Sequence, residues 1–207
     1  MAKLGDGKAH TPEEALQLLR DGNERFYTGQ GEKKVVDAFE RRLQIIRQTP
    51  FAVVLGCSDS RVPVEIVFDQ GPGDLFVVRV AGNVAETSAL ATIEFAIHYL
   101  QIKAVVVLGH EGCSAVQLAL RPWHERQGQP RLVRDLVESV VPGTWGVPSD
   151  LQGPERIKAA VVQNVRRQVE RLCRQDLFGP RIREHGLAVA GAYYEIATGK
   201  VEFLDEP

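Results

Sequence analysis

Residues 51–61 read Phe-Ala-Val-Val-Leu-Gly-Cys-Ser-Asp-Ser-Arg, an apolar run that ends at a glycine and is followed by polar side chains. Residues 104–113, Ala-Val-Val-Val-Leu-Gly-His-Glu-Gly-Cys, repeat this plan. Runs that are apolar at every position are typical of parallel strands covered on both faces, so each run predicts a buried strand followed by a loop. Both loops should emerge at the carboxyl edge of one sheet, which is where open α/β sheets carry their sites.

The two loops carry the donor atoms of a metal site. Cys57 lies on the first loop, and His110 and Cys113 lie on the second. Two thiolates and one imidazole have the softness and the number that suit a catalytic zinc, which takes three protein ligands and leaves a fourth position for water. A closed structural zinc is the alternative, and it would need a fourth ligand. The candidates for that ligand are Cys173, His98 and His124.

Asp59 and Arg61 follow Cys57 at alternate positions. Asp59 could bind the metal as a fourth ligand in a closed state, or it could turn away to a cation. A guanidinium that holds the carboxylate bidentately would keep Asp59 off the zinc and leave a lone pair to orient a zinc-bound hydroxide. We therefore predict that Asp59 and Arg61 are catalytic, the alternative being a surface ion pair of little effect. Because two thiolates cancel the charge of zinc, activity should rise on the alkaline side of neutrality.

The composition gives no reason to expect nucleic acid or membrane partners. The chain has 207 residues, and its 25 basic and 27 acidic residues give a formal charge of −2. No apolar run approaches the roughly 18 residues of a spanning helix, and residues 1–8 lack the apolar core of a secretion signal. Three cysteines cannot all pair within one chain, and zinc thiolates survive in a reducing compartment. We expect a cytoplasmic location.

The remaining patterns complete an α/β fold. Helices are predicted from Pro12, with Thr11 and Glu14 as a capping box, and over 35–48, 87–100, 113–120, 132–140 and 154–174. Further strands are predicted over 75–80, 187–194 and 201–204, the last one antiparallel. The order predicts a mostly parallel sheet of four strands plus an antiparallel edge strand, with helices on both faces and an N-terminal helical arm. Residues 1–50 form the arm in this prediction, and residues 51–207 form the zinc-binding catalytic domain.

The paired motifs resemble those of the β-class carbonic anhydrases. Cys-Ser-Asp-Ser-Arg at 57–61 and Gly-His-x-x-Cys at 109–113 carry the resemblance. It extends over roughly residues 10–205 and includes Gly22-Asn23, Arg25-Phe26, the segment 72–79, Ala81-Gly82-Asn83 and the segment 191–194. The reaction implied is the reversible hydration of carbon dioxide to bicarbonate and a proton.

The resemblance also implies roles for individual residues and an assembly. Cys57, His110 and Cys113 would hold zinc, Asp59 with Arg61 would be the catalytic pair, and Gln70 would face the substrate. Such proteins are homodimers or dimers of dimers, with the N-terminal helices wrapped over the partner. The family usually has glycine after the second thiolate ligand, where this chain has Ser114, and Gly112 could supply the close backbone approach instead.

Three other functions fit parts of the pattern. A hydrolase of carbonyl sulfide or carbon disulfide could use the same zinc site, because those substrates are also small, linear and apolar. A zinc-dependent binding or assembly protein would use the metal only to join the two loops. A disulfide oxidoreductase fits less well, since His-Glu-Gly-Cys lacks the second close cysteine of a Cys-x-x-Cys motif.

Overall fold

Five strands form one sheet in the order β2-β1-β3-β4-β5. The structure is a computed structural model that describes residues 10–32, 36–174 and 178–204. The strands are β1 (Ala52–Gly56), β2 (Leu75–Arg79), β3 (Ala104–His110), β4 (Ala188–Tyr194) and β5 (Val201–Leu204). The first four strands are parallel, and β5 is antiparallel to β4. The sequence interpretation of residues 1–8 and the predicted helix start at Val35 lie outside the described residues.

The helices connect and cover these strands. They are α1 (Pro12–Tyr27), α2 (Ala38–Gln44), α3 (Val64–Val67), α4 (Thr87–Tyr99), α5 (Ser114–Ala119), α6 (Trp123–Gln127), α7 (Arg131–Val140), α8 (Gly153–Arg174) and α9 (Phe178–His185). Two short 3₁₀ helices lie between these elements, at Ala81–Asn83 and Val141–Thr144. Within the described residues, no helix is both long enough and apolar enough to cross a membrane.

The central strands are apolar because both of their faces are covered. Every residue of β1 and of β3 is buried. One face packs against α4, α5, α7 and α8, and the other packs against α1 and α3. The predicted fold class, with four parallel strands, an antiparallel edge and helices on both faces, is confirmed. The division into an arm (1–50) and a domain (51–207) stays a prediction.

Helix α8 lies very close to the middle of the sheet. A Cβ atom added to Gly109 of β3 would lie 2.6 Å from a methyl carbon of Val165 and 2.7 Å from one of Val161. A Cβ atom on Gly191 of β4 would lie 2.8 Å from Val165. These glycines therefore let a long helix rest directly on β3, which ends in His110, and on its neighbour β4.

Asn23 ties α1 to two other parts of its own chain. The side chain is 3% exposed. Its amide nitrogen donates to the carbonyl oxygens of Val67 (3.0 Å) and Gly199 (2.9 Å), and its oxygen accepts from the Val201 amide at 2.8 Å. The start of β5 and the end of α3 are thereby fixed to α1.

We expect Asn23→Ala to lower the free energy of unfolding by about 2 kcal/mol, because one buried and two part-buried backbone groups lose their partner at once. Denaturant unfolding of the purified protein measures this difference. The matched control is Glu24→Ala, which removes an exposed side chain from the next position of the same helix. Equal stability of the two variants would show that Asn23 does not hold these elements together.

Helix α2 is shorter than predicted, and its apolar side chains are uncovered. It begins at Ala38 because the Asp37 side chain accepts hydrogen bonds from the amides of Phe39 (2.7 Å) and Glu40 (2.8 Å). No residue of α2 is buried. The exposed apolar side chains here are Phe39 (67%), Leu43 (50%), Ile45 (84%) and Ile46 (77%).

Candidate metal centre

Two neighbouring strands bring the predicted metal ligands together. Cys57 follows β1 directly, His110 ends β3, and Cys113 immediately precedes α5. Because β1 and β3 are paired in parallel, both loops leave the same edge of the sheet, as predicted. All three side chains are buried: Cys57 is 4% exposed, Cys113 1% and His110 0%.

The separation of the sulfur atoms fits a shared metal ion. The Sγ atoms of Cys57 and Cys113 lie 4.0 Å apart, whereas a disulfide bond is about 2.05 Å long. Two sulfurs on one tetrahedral zinc, each at about 2.3 Å, would lie roughly 3.8 Å apart. The donor atoms of Cys57, His110 and Cys113 all lie within 4.8 Å of one another. The site therefore has dimensions that suit one metal ion held by three side chains.

The imidazole of His110 has one nitrogen available for a metal. Nδ1 lies 2.9 Å from the carbonyl oxygen of Glu111, so we assign the ring proton to Nδ1. Nε2 is buried and has no hydrogen-bond partner. A buried nitrogen acceptor without a partner is costly unless a metal or a proton donor meets it, so this tautomer fits metal binding through Nε2.

Glu111 is itself fixed by the last hairpin. Its amide donates to the carbonyl oxygen of Tyr194 at 2.8 Å. Its carboxylate accepts a hydrogen bond of 3.0 Å from the amide of Ala197. The carbonyl that orients His110 is therefore held by the end of β4 and by the turn that follows it.

The two thiols ionise as a pair. A hydrogen bond from the Cys113 thiol lowers the pKa of Cys57 to about 4, against the opposing effect of burial. The same hydrogen bond, together with burial, raises the pKa of Cys113. The hydrogen bond therefore favours the thiolate at Cys57 over that at Cys113, and a binding dication would displace the remaining thiol protons.

The candidates for a fourth ligand lie elsewhere. Cys173 is half-buried near the end of α8, and burial raises its pKa. His98 packs edge-on against Tyr99 at the end of α4, with 4.7 Å between the ring centres, and His124 is exposed on α6. In the described ranges, only Cys57, His110 and Cys113 form a group of three or more such side chains. A closed site with four of these ligands is therefore not formed by the described residues.

Asp59 and Arg61 form a bidentate ion pair beside the first ligand. Arg61 Nε donates to Oδ1 at 2.9 Å, and Nη2 donates to Oδ2 at 2.8 Å. The Arg61 amide adds a third hydrogen bond to Oδ1, at 3.0 Å. The Arg61 guanidinium holds the pKa of Asp59 well below its usual range, so this carboxylate is ionised at neutral pH. Its side chain is 15% exposed, and that of Arg61 is 53% exposed.

Arg79 contacts the loop that carries Cys57 and Asp59, and the sequence interpretation gave it no role. Its Nε donates to the carbonyl oxygen of Cys57 at 2.9 Å, and its Nη2 donates to that of Asp59 at 2.6 Å. It reaches them because strand pairing places Arg79 beside Gly56, the residue before Cys57. Arg79 thereby fixes the backbone of the loop that carries both a metal ligand and the carboxylate.

The structure places Gln70 against α1. Its amide nitrogen donates to the carbonyl oxygen of Phe68 at 2.8 Å. A Cβ atom on Gly22 would lie 2.8 Å from that nitrogen and 2.0 Å from the Phe68 oxygen, so Gly22 is what admits this close packing. The substrate contact of Gln70 is not tested by these contacts and stays a prediction.

Gly112 serves a different purpose from the one expected. Its φ is +64°, and no atom lies within 4 Å of a Cβ added there. A left-handed backbone conformation, not a close approach, is therefore the reason for glycine at this turn. Ser114 is exposed as the first residue of α5.

Comparisons with known proteins agree with this geometry. Residues 52–201 match the family model described as carbonic anhydrase. A carbonic anhydrase of Mycolicibacterium smegmatis is 39% identical over 193 residues, which cover 92% of each chain.

Solved structures show the same fold. The β-carbonic anhydrase CcaA superposes with a TM-score of 0.74 at 28% identity, covering 92% of this chain and 95% of that one. One of two tetrameric β-carbonic anhydrases of Sordaria macrospora superposes with a TM-score of 0.72 at 25% identity, covering 79% and 85%. With its Cys-His-Cys group at the carboxyl edge of the sheet, this chain belongs to the β-carbonic anhydrase family, whose general reaction is the hydration of carbon dioxide.

Proposed function

We propose that this chain is a zinc-dependent carbonate dehydratase that converts carbon dioxide to bicarbonate and a proton, reversibly. Cys57, His110 and Cys113 would hold the zinc. The observation that carries the proposal is the unpartnered, buried Nε2 of His110 beside two sulfurs that lie 4.0 Å apart. When bound, zinc would lower the pKa of a water molecule and so supply a nucleophile at moderate pH.

Asp59 would orient the attacking oxygen through one particular atom. Oδ1 already accepts two hydrogen bonds from Arg61, whereas Oδ2 accepts one and keeps a lone pair. Because the carboxylate is ionised, it can only accept, so the O–H of the attacking oxygen would have to point at Oδ2. The lone pair of that oxygen would then be free to face the carbon atom of carbon dioxide.

Arg61 and Arg79 would keep this carboxylate in place. By holding Asp59, Arg61 would keep this carboxylate from binding a metal ion while the ion pair persists. Arg79 anchors the carbonyl oxygens of Cys57 and Asp59, so the ligand and the carboxylate keep one spacing. Displacement of Asp59 from Arg61 onto the zinc would give the closed state.

The proposal extends to Gln70, to the assembly and to the location of the protein. Gln70 would face the substrate, and Gln70→Ala should then raise KM for carbon dioxide with zinc retained.

The exposed apolar side chains of α2 support a homodimer or a dimer of dimers. Light scattering measures this oligomeric state. Cys57, Cys113 and Cys173 are all unpaired, as suits thiols in the cytoplasm.

Stopped-flow assay of carbon dioxide hydration, combined with metal analysis, tests the proposed function. We expect one zinc per chain and turnover that increases from neutral to alkaline pH. Full zinc loading without hydration at alkaline pH would overturn the proposal. In that case, hydrolysis of carbonyl sulfide or carbon disulfide by the same sample would identify the alternative enzyme, and no turnover of either would indicate a binding protein.

A further inference from the structure

Two amide side chains interrupt the apolar face of α8. Asn164 and Gln168 lie one turn apart and are 0% and 2% exposed. Their neighbours on this face include Val161, Val165 and Val169, which belong to the apolar core. A buried amide is costly unless its hydrogen bonds are satisfied, so apolar side chains would suit this position better if packing were the only requirement.

The two amides form hydrogen bonds with residues 82–85, the segment that follows β2. Asn164 Nδ2 donates to the carbonyl oxygen of Gly82 at 2.9 Å. Gln168 Nε2 donates to Asn164 Oδ1 at 3.1 Å, and Gln168 Oε1 accepts from the Ala85 amide at 3.0 Å. The segment 82–85 is thus held at both ends by one pair of side chains.

This segment donates a hydrogen bond to a metal ligand. The Gly82 amide lies 3.4 Å from the sulfur of Cys57. Cys113 lies at the start of α5, close to the first amides of that helix, but Cys57 follows a strand and has no helix of its own. Besides the Asp59 amide on its own loop, Cys57 receives the Gly82 amide from the segment that α8 holds.

The backbone of this segment needs external support. Gly82 and Asn83 are consecutive residues with left-handed φ values of 72° and 44°. Such conformations persist where the surroundings enforce them. Gly143 packs so closely on Asn164 that an added Cβ atom would lie 2.2 Å from its Oδ1, so the amide of Asn164 has little room to turn.

We propose that Asn164 and Gln168 are positioning residues of the metal centre, holding Gly82 so that its amide donates to the Cys57 thiolate. The inference rests on the zinc site of the proposed function. An N–H donor withdraws electron density from a thiolate, and partners outside the ligand shell typically change metal affinity by about 10- to 100-fold. Asn164 and Gln168 would thus influence, from α8, the electron density on the Cys57 sulfur when a metal is bound.

The test uses the purified chain loaded with Co²⁺, a spectroscopic substitute for zinc. Asn164→Leu keeps the approximate shape of the side chain and removes the donor to Gly82. We expect the sulfur-to-cobalt charge-transfer band to move to longer wavelength, because a thiolate without its N–H donor is easier to oxidise. Zinc dissociation constants from chelator competition should rise about 10- to 100-fold.

The matched control is Val169→Ala, which weakens packing on the same face of α8 but keeps the hydrogen bonds of Asn164 and Gln168 to residues 82–85. It should keep the wild-type spectrum and affinity despite a lower melting temperature. If Asn164→Leu fails to fold, the same spectrum and zinc affinity are measured for Gln168→Met, which removes the hydrogen bonds of Gln168 to Ala85 and Asn164. A folded variant with wild-type spectrum and affinity would overturn this inference alone, whereas a wild-type chain that binds no metal would overturn the zinc site as well.

Discussion

Replacing Cys113 by serine should empty the metal site and abolish carbon dioxide hydration. Serine is a hard, weakly acidic ligand that cannot replace a thiolate on zinc, and only His110 and Cys57 would remain. We expect the zinc content to fall from one per chain to almost none, and turnover to fall by at least about a thousandfold. Metal analysis and stopped-flow assay of the same sample measure both effects.

Cys173→Ser is the matched control, because it makes the same chemical change in a half-buried thiol on α8 outside the metal-ligand group. It should retain both zinc and activity. A Cys113→Ser variant that keeps one zinc per chain would contradict the ligand set proposed for this protein.

Asp59→Asn should separate catalysis from metal binding. The amide has nearly the shape of the carboxylate, but it loses the ion pair with Arg61 and one of its two acceptor atoms. Zinc content should stay at the wild-type level, while turnover should fall by about 10²-fold or more, because the attacking oxygen loses the carboxylate that orients it.

The control for this substitution is Asp135→Asn on α7, which breaks an exposed ion pair with Arg131 and should leave turnover unchanged. If Asp59→Asn binds zinc and hydrates carbon dioxide at the wild-type rate, Asp59 does not orient the nucleophile. That result would also leave a purely structural role for the metal open.

Much of this architecture is predictable because the sheet is buried on both faces. A strand that packs on two sides must be apolar throughout, so β1 and β3 are visible as uninterrupted runs, and a parallel sheet sends their following loops to one edge. Cys57, His110 and Cys113 could therefore be assigned to one site from residue type and order. Asp59 and Arg61 are two residues apart, so their pairing needed no knowledge of the tertiary fold.

Contacts that depend on strand register or on helix packing were not predictable. Arg79 reaches the Cys57 loop because β2 pairs with β1 in one particular register. Asn164 and Gln168 are hidden within a valine-rich face, where helical periodicity identifies the apolar residues but does not reveal the partners of two buried amides. The short helix α6 also escaped prediction, since five residues are too few for a periodic pattern.

The hydrogen bonds of Glu111 connect the C-terminal hairpin to the proposed metal site. The carbonyl oxygen of Glu111 orients the imidazole of His110, and the Glu111 carboxylate accepts a hydrogen bond from the turn after β4. Loosening that turn would free the carbonyl, and the ring could then rotate or exchange tautomers. An edge of the sheet that supplies no ligand would therefore help to decide how firmly a bound ion is retained.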